Sequence, residues 1–274
     1  GWNYDGTGAC NKIPQTPDRP AGRAKVPAFN ADERYGYVWV CLGEPLTGIP
    51  EMPEAKEPGY RMFHQFHEVW RTAGLRLMEN SFDNAHFSFV HRESFGQFDK
   101  PIPADLNIEE GEYGFRFETK APVNNPESQK KLLQMESDTT VRHMTSNWYM
   151  PFGRRLNIRY PNGLVHSIVT YATPIDDEHS MICQWAFRSD SEEEAPQADI
   201  IAFDRQVTEE DKRVLESTDY DVPLDTASGE EKHMPSDQPG MVMRKMMIAL
   251  LERFGEKEAR SDHARIPVKQ EKAS

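Results

Sequence analysis

From residue 114 to residue 188 the chain alternates β-prone runs with turn formers, a rhythm that commits this stretch to an antiparallel sheet. Strand-like runs occupy residues 114–119, 141–150, 155–160, 164–172 and 181–188, separated by turns such as Pro161-Asn162-Gly163 and Asp176-Asp177. A further run, Met62 to Trp70, precedes them. Helical spacing surrounds the strands. Leu75, Met78 and Phe82, three and four residues apart, predict a helix over residues 73–84, and two more helices, 199–217 and 240–254, close the chain. In the last of these, Met241, Met243, Met246, Met247, Leu250 and Leu251 form an apolar face suited to a core or a subunit contact. Residues 124–137 and the acidic run 190–195 read as polar loops. The expected class is α+β, with helices packed on an antiparallel sheet.

Residues 1–45 are rich in turn formers and end in the β-prone run Tyr35 to Leu42, which reads as a small β module. The proline-rich stretch 46–60 reads as a linker, residues 61–255 as the main domain, and the mixed-charge residues 256–274 as a frayed tail. Forty-five acidic against 32 basic residues, a formal charge of −13, argue against nucleic acid as a partner. Cys10, Cys41 and Cys183 form no CxxC and suggest neither a disulfide framework nor a thiolate metal site. No window approaches the roughly 18 apolar residues of a membrane span, and the first residues lack a signal-like core. A cytoplasmic protein without membrane contact is expected. The absence of an initiator Met suggests a chain that begins partway through a longer protein.

The chemistry concentrates in Glu79-Asn80-Ser81-Phe82-Asp83-Asn84-Ala85-His86-Phe87-Ser88-Phe89-Val90-His91, where two imidazoles, a carboxylate and a carboxamide sit among aromatic residues. Unpaired polar groups there would be costly, so partners are required. On a helix Asp83 and His86 share a face, whereas His86 and His91 lie about 140° apart. For both rings to meet one ion, the helix must end or distort after His86.

A third ligand should come from the helix containing residues 203–215, in which Phe203, Val207, Val214 and Leu215 mark a buried stripe. Asp211 lies on that stripe. Asp204 is the fallback, and Glu209 and Glu210 are expected to be solvated. Two imidazoles and one carboxylate with open positions suit Fe(II) or Zn(II) equally.

Three separated segments resemble the α subunits of Rieske non-haem iron oxygenases. Gly1-Trp2-Asn3-Tyr4-Asp5-Gly6 with Ile13-Pro14 is similar to the stretch after their second cluster-binding motif, and Tyr35 to Val40 with Gly43-Glu44-Pro45 to the end of that domain. Asn80, Asp83, His86 and His91 match the mononuclear-iron motif, and Glu210-Asp211 resembles its distal carboxylate. The wording of the motif and the run Glu216 to Tyr220 look most like vanillate O-demethylase, dicamba monooxygenase and pheophorbide a oxygenase.

The resemblance implies the C-terminal remnant of a small β Rieske domain followed by a helix-grip domain, a sheet with a long C-terminal helix. It implies Fe(II) held by His86, His91 and Asp211, Asp83 as bridge to a neighbouring subunit in a homotrimer, and Asn80 beside the iron. The family's [2Fe-2S] ligands would all precede Gly1, which implies either a fragment of a complete oxygenase that carries the cluster or a natural truncation without its electron relay. Electrons would come from NAD(P)H through a ferredoxin or flavin reductase. The implied activity is O2-dependent monooxygenation, by hydroxylation or oxidative O- or N-demethylation, of an aromatic or cyclic organic substrate. Ring cis-dihydroxylation, a lipid or pigment carrier and a Zn(II) hydrolase are the alternatives. Asn147, Trp148, Phe152 and His166 are the expected substrate-lining residues.

Overall fold

The first strands form where short polar turns let the chain reverse. In the computed structural model, which describes residues 1–102, 106–229 and 231–259, residues 1–51 form one unit and the chain from Met52 a second. In the first unit β1 (Asn3–Tyr4) pairs antiparallel with β2 (Cys10–Lys12). The Asp5 carboxylate between them accepts from the Thr7 amide at 2.8 Å and the Ala9 amide at 3.2 Å. Gly8 follows at φ +80°, where a Cβ would stand 2.1 Å from the Val26 carbonyl oxygen, so only glycine fits. A second hairpin joins β3 (Asn30–Arg34) to β4 (Tyr37–Cys41) through Tyr35 and Gly36, both at positive φ.

The second unit holds β5 (Arg61–Trp70), α1 (Gly74–Phe82), α2 (Phe87–Val90), β6 (Asn107–Gly111), β7 (Gly114–Asn124), α3 (Glu127–Leu133), β8 (Thr139–Tyr149), β9 (Gly153–Arg159), β10 (Val165–Pro174), β11 (Ser180–Arg188), α4 (Gln197–Leu215) and α5 (Gln238–Arg253). Its seven strands make one antiparallel sheet in the order β5-β11-β10-β9-β8-β7-β6. Six strands follow one another as a meander. The first, β5, closes the sheet by adding to β11, the last. The α+β class expected from the sequence is the class found.

Packing fixes α1. Leu77, Met78 and Phe82 are buried on one face of it, and the Phe82 ring, 1% exposed, meets Phe115 at 5.0 Å and Trp148 at 6.5 Å between centroids. An aromatic wedge of this kind holds the end of α1 against β7 and β8. On its other side Glu79 pairs with Arg244 of α5 at 2.9 Å and with Arg76 at 3.2 Å, while Glu231 pairs with both arginines. The methionine face of α5 is partly core: Met243 is buried, Met246 and Met247 pack on it, and Met241 is exposed.

Several expectations change. Residues 124–137, expected as a polar loop, contain α3, whose Gln129, Leu132 and Leu133 are buried. Three buried residues in seven are too few for a periodicity to show in sequence. The charged strand β6 was not expected, because its residues are mostly exposed at the sheet edge. Val214 is 40% exposed rather than part of the α4 stripe, which instead runs through Ile200, Asp204 and Leu215 and includes acids. From residue 260 onward the charged tail lies outside the described residues.

Residues 52–60, expected as linker, include Met52 and Glu54, both buried in the second unit. The Glu54 carboxylate accepts from Arg155 and Asn157, each at 3.1 Å, and from Ser167. Burial alone would raise its pKa, but hydrogen bonds from Arg155 and Ser167 outweigh this and hold it below the ordinary glutamate value. A depressed carboxyl pKa stabilises the fold above the unfolded-state value, and that contribution fades as pH falls through the folded-state value. Glu54→Gln should therefore cost about 3 kcal/mol at neutral pH and flatten the acid limb of stability. Urea unfolding across an acid pH series checks both, and parallel limbs for the two proteins would contradict the assignment.

Candidate metal centre

The break in α1 makes the site. The helix stops at Phe82, and Asp83 is extended (φ −73°, ψ 132°), so the chain turns before His86 rather than after it. The turn is held by Asp83 itself, whose carboxylate accepts the Ala85 amide at 2.7 Å and the His86 amide at 3.1 Å. The same carboxylate lies 3.1 Å from His86 Nδ1. The short helix α2 then places His91 five residues on.

His91 is 2% exposed, and its ring lies over Phe95 at 4.8 Å and 28°. Its Nδ1 is 2.7 Å from Glu210 Oε2, which also accepts from the Ser94 hydroxyl at 2.8 Å. Glu210 is buried, contrary to the expected solvated position. No sequence signal separates it from exposed Glu209, because one helix position decides which carboxylate meets the ring.

Because a carboxylate only accepts, each imidazole keeps its proton on Nδ1 and turns a bare Nε2 inward. The two Nε2 atoms are 3.1 Å apart, and Asp211 Oδ1 lies 3.5 Å from that of His86 and 3.3 Å from that of His91. Three lone pairs so close repel unless a cation or proton lies among them. Asp211 Oδ1 is buried and has no hydrogen-bond partner among the described residues, so its lone pairs are available to a metal. With ligand bonds of about 2.1 Å, neighbouring positions at a right angle on one ion lie about 3.0 Å apart. The donor set and its spacing fit a divalent transition metal.

Burial alone would lower the His91 pKa, but Asp211 and then Glu210 outweigh it and hold it above the ordinary imidazole value. Burial likewise would raise that of Asp211, and His91, then His86 and the Asn80 side chain, bring it below the usual carboxylate range. Asp204 is not part of the cluster. It accepts from Gln65 and lies 3.3 Å from His166 Nε2.

The three donor groups face a cavity of about 120 Å³ between α1, α4 and the inner face of the sheet. Leu77, Leu156, Ile168, Ile182 and Val207 are among its apolar walls, and Asn80, Arg142, Arg154, His166, Gln184 and Asp204 are among its polar lining groups. Of the four expected lining residues, His166 alone is there. Asn147 accepts from Arg155 at 3.0 Å on the opposite face, as strand alternation requires. Trp148 is locked into the Phe82 cluster, donating from its indole to the Pro151 carbonyl at 3.0 Å, and Phe152 packs against Gly74. Sequence alternation shows that half of each strand faces inward but does not show which half, so Arg154 was missed.

A profile of the vanillate O-demethylase oxygenase C-terminal domain matches residues 70–253. The chain belongs to this family. That membership agrees with the resemblance to Rieske oxygenase α subunits seen in the sequence. Among curated relatives, the methylxanthine N1-demethylase NdmA of Pseudomonas putida is 28% identical over 83% of this chain and 64% of its own length. The methylxanthine N3-demethylase NdmB of the same organism is 29% identical over 79% of this chain and 60% of its own. The chain thus spans somewhat less than two thirds of these relatives. A solved structure of P. putida NdmA with caffeine superposes with a TM-score of 0.77 at 26% identity, covering 93% of this chain and 72% of that one.

Because Glu210 fixes the direction of the His91 lone pair, Glu210→Ala should weaken metal binding about 10- to 100-fold, and Ser94→Ala less. Anaerobic titration with Fe(II) or Co(II) measures this. Equal affinity in wild type and Glu210→Ala would show that the ring needs no such support.

Proposed function

We propose that this chain forms the mononuclear-iron catalytic part of an O2-dependent monooxygenase that hydroxylates a cyclic organic substrate or oxidatively removes a methyl group from its oxygen or nitrogen. The convergence of His86 Nε2, His91 Nε2 and Asp211 Oδ1 at the wall of an apolar cavity carries the proposal. The relatives named as N-demethylases support the reaction type.

Bound Fe(II) would supply the redox chemistry with dioxygen. The chain's own residues do the rest. Asp83 and Glu210 hold the two imidazoles in the tautomer that leaves Nε2 free. Asn80 lines the cavity together with Asp211. Apolar walls exclude water from the space next to the ligands, which favours oxidation of a bound carbon over side reactions with solvent. Asp83 remains partly exposed, so its carboxylate is available to a neighbouring subunit. We assign it the electron bridge in a homotrimer, fed from a [2Fe-2S] cluster carried outside this chain and reduced by NAD(P)H through a ferredoxin or flavin reductase. Among the described residues no helix is long and apolar enough to cross a membrane.

Elemental analysis of anaerobically purified protein tests the assignment. About one iron per chain is expected, lost in His86→Ala and in Asp211→Ala. With a Rieske electron donor, the wild type should then release formaldehyde from N- or O-methylated ring compounds. Zinc in the wild type, or metal retained by both variants, would overturn the proposal.

A further inference from the structure

Two arginines stand on the wall of the cavity that the three donor groups share. Arg142 on β8 and Arg154 on β9 both line it, together with His86, His91 and Asp211. Arg142, 5% exposed, is held by aromatic faces: its Cζ lies 4.3 Å from the centroid of Phe95 and 5.8 Å from that of Tyr160. The His91 ring stacks on the same Phe95 at 4.8 Å, and the separations of 4.3 Å and 4.8 Å together keep the cation within about 9 Å of that imidazole. Burial brings the Arg154 pKa down to about 10 against the attraction of Asp211, its charged neighbour, and leaves it protonated at neutral pH. A further arginine on the cavity, Arg188, is paired with Asp190.

Around the donors themselves the opposite sign prevails. Asp211 is one of the three, Asp83 lies 3.1 Å from His86 Nδ1, and Glu210 lies 2.7 Å from His91 Nδ1. A carboxylate on the outer nitrogen makes an imidazole a stronger donor to a metal. Three carboxylates so placed favour the higher oxidation state of a bound ion, whereas two imidazoles and one carboxylate serve oxygenases that work from Fe(II). Through-space charge is strong enough to decide the balance. At roughly 10 Å and an effective dielectric constant of about 20, one unit charge alters an equilibrium involving another by about tenfold.

We infer that Arg142 and Arg154 set the oxidation state of the bound iron: their charges offset the three carboxylates and hold the one-electron Fe(III)/Fe(II) couple on the ferrous side. This rests on the iron assignment. Arg142 acts from the aromatic ring it shares with His91, and Arg154 acts beside Asp211. Both are positioning residues, since each works through a donor group rather than on a reacting atom.

Redox titration of the iron-loaded chain tests the inference, with dithionite and ferricyanide as reductant and oxidant and the high-spin ferric EPR signal as readout. Arg142→Met and Arg154→Met should each raise the ferric-to-ferrous ratio at a fixed potential by about tenfold, and the double variant should raise it further. Arg142→Gln and Arg154→Gln remove the same charge with a smaller change in polarity and should shift the ratio alike. Arg142→Lys and Arg154→Lys keep the charge and should stay close to the wild type, which a merely structural role would not produce. Wild-type ratios in the Met and Gln variants, or Lys variants that shift as far as these, would overturn the inference and leave the iron site standing. A chain that takes up no iron would overturn both the inference and the assignment beneath it.

Discussion

Two hydrogen bonds, from His86 Nδ1 to Asp83 and from His91 Nδ1 to Glu210, set the direction in which this protein can do chemistry. Each fixes a proton on the outer nitrogen of a ring and so exposes a lone pair on the inner one. The rest of the second unit brings those four side chains within reach. Asp83 and His86 come from one turn, but Glu210 and Asp211 come from a helix more than a hundred residues later, which packs on the sheet through Ile200 against Phe63 and Ala186.

The aromatic wedge at Phe82 connects the core to the centre. It buries the last turn of α1 against β7 and β8, and the helix ends at that point because Asp83 withdraws its own backbone into an extended conformation. A helix continued through residue 91 would have splayed the two imidazoles to opposite sides. The ion pairs between Glu79, Arg76, Arg244 and Glu231 brace the same helix against α5, so the turn carrying Asp83 is held from both sides.

Polar groups in the cavity fall into two kinds. The chain of Thr170, Gln184, Gln65 and Asp204 is satisfied internally and lends rigidity to the sheet floor. The Nε atoms of Arg142 and Arg154 have no acceptor among the described residues, and Asp211 is the charged neighbour of Arg154.

Much was legible in the sequence. The turn-punctuated strands specified the antiparallel sheet, and the spacing of Asn80, Asp83, His86 and His91 pointed to the segment whose two imidazoles converge, because local periodicity and side-chain chemistry are properties of short segments. The face that each strand turns inward was not legible: Asn147 and Arg154 are both polar strand residues, yet one meets Arg155 on the far side and the other lines the cavity. Nor was the burial of Glu210 beside exposed Glu209, or of α3 inside an apparent loop. These depend on the rotation of α4 and the register of β8, β9 and β10, which are fixed by contacts between residues far apart in the chain. The sequence by itself determined which groups could bind a metal; the tertiary structure decided which carboxylate orients which ring and which polar strand residues face the open space, because only packing settles where each side chain points.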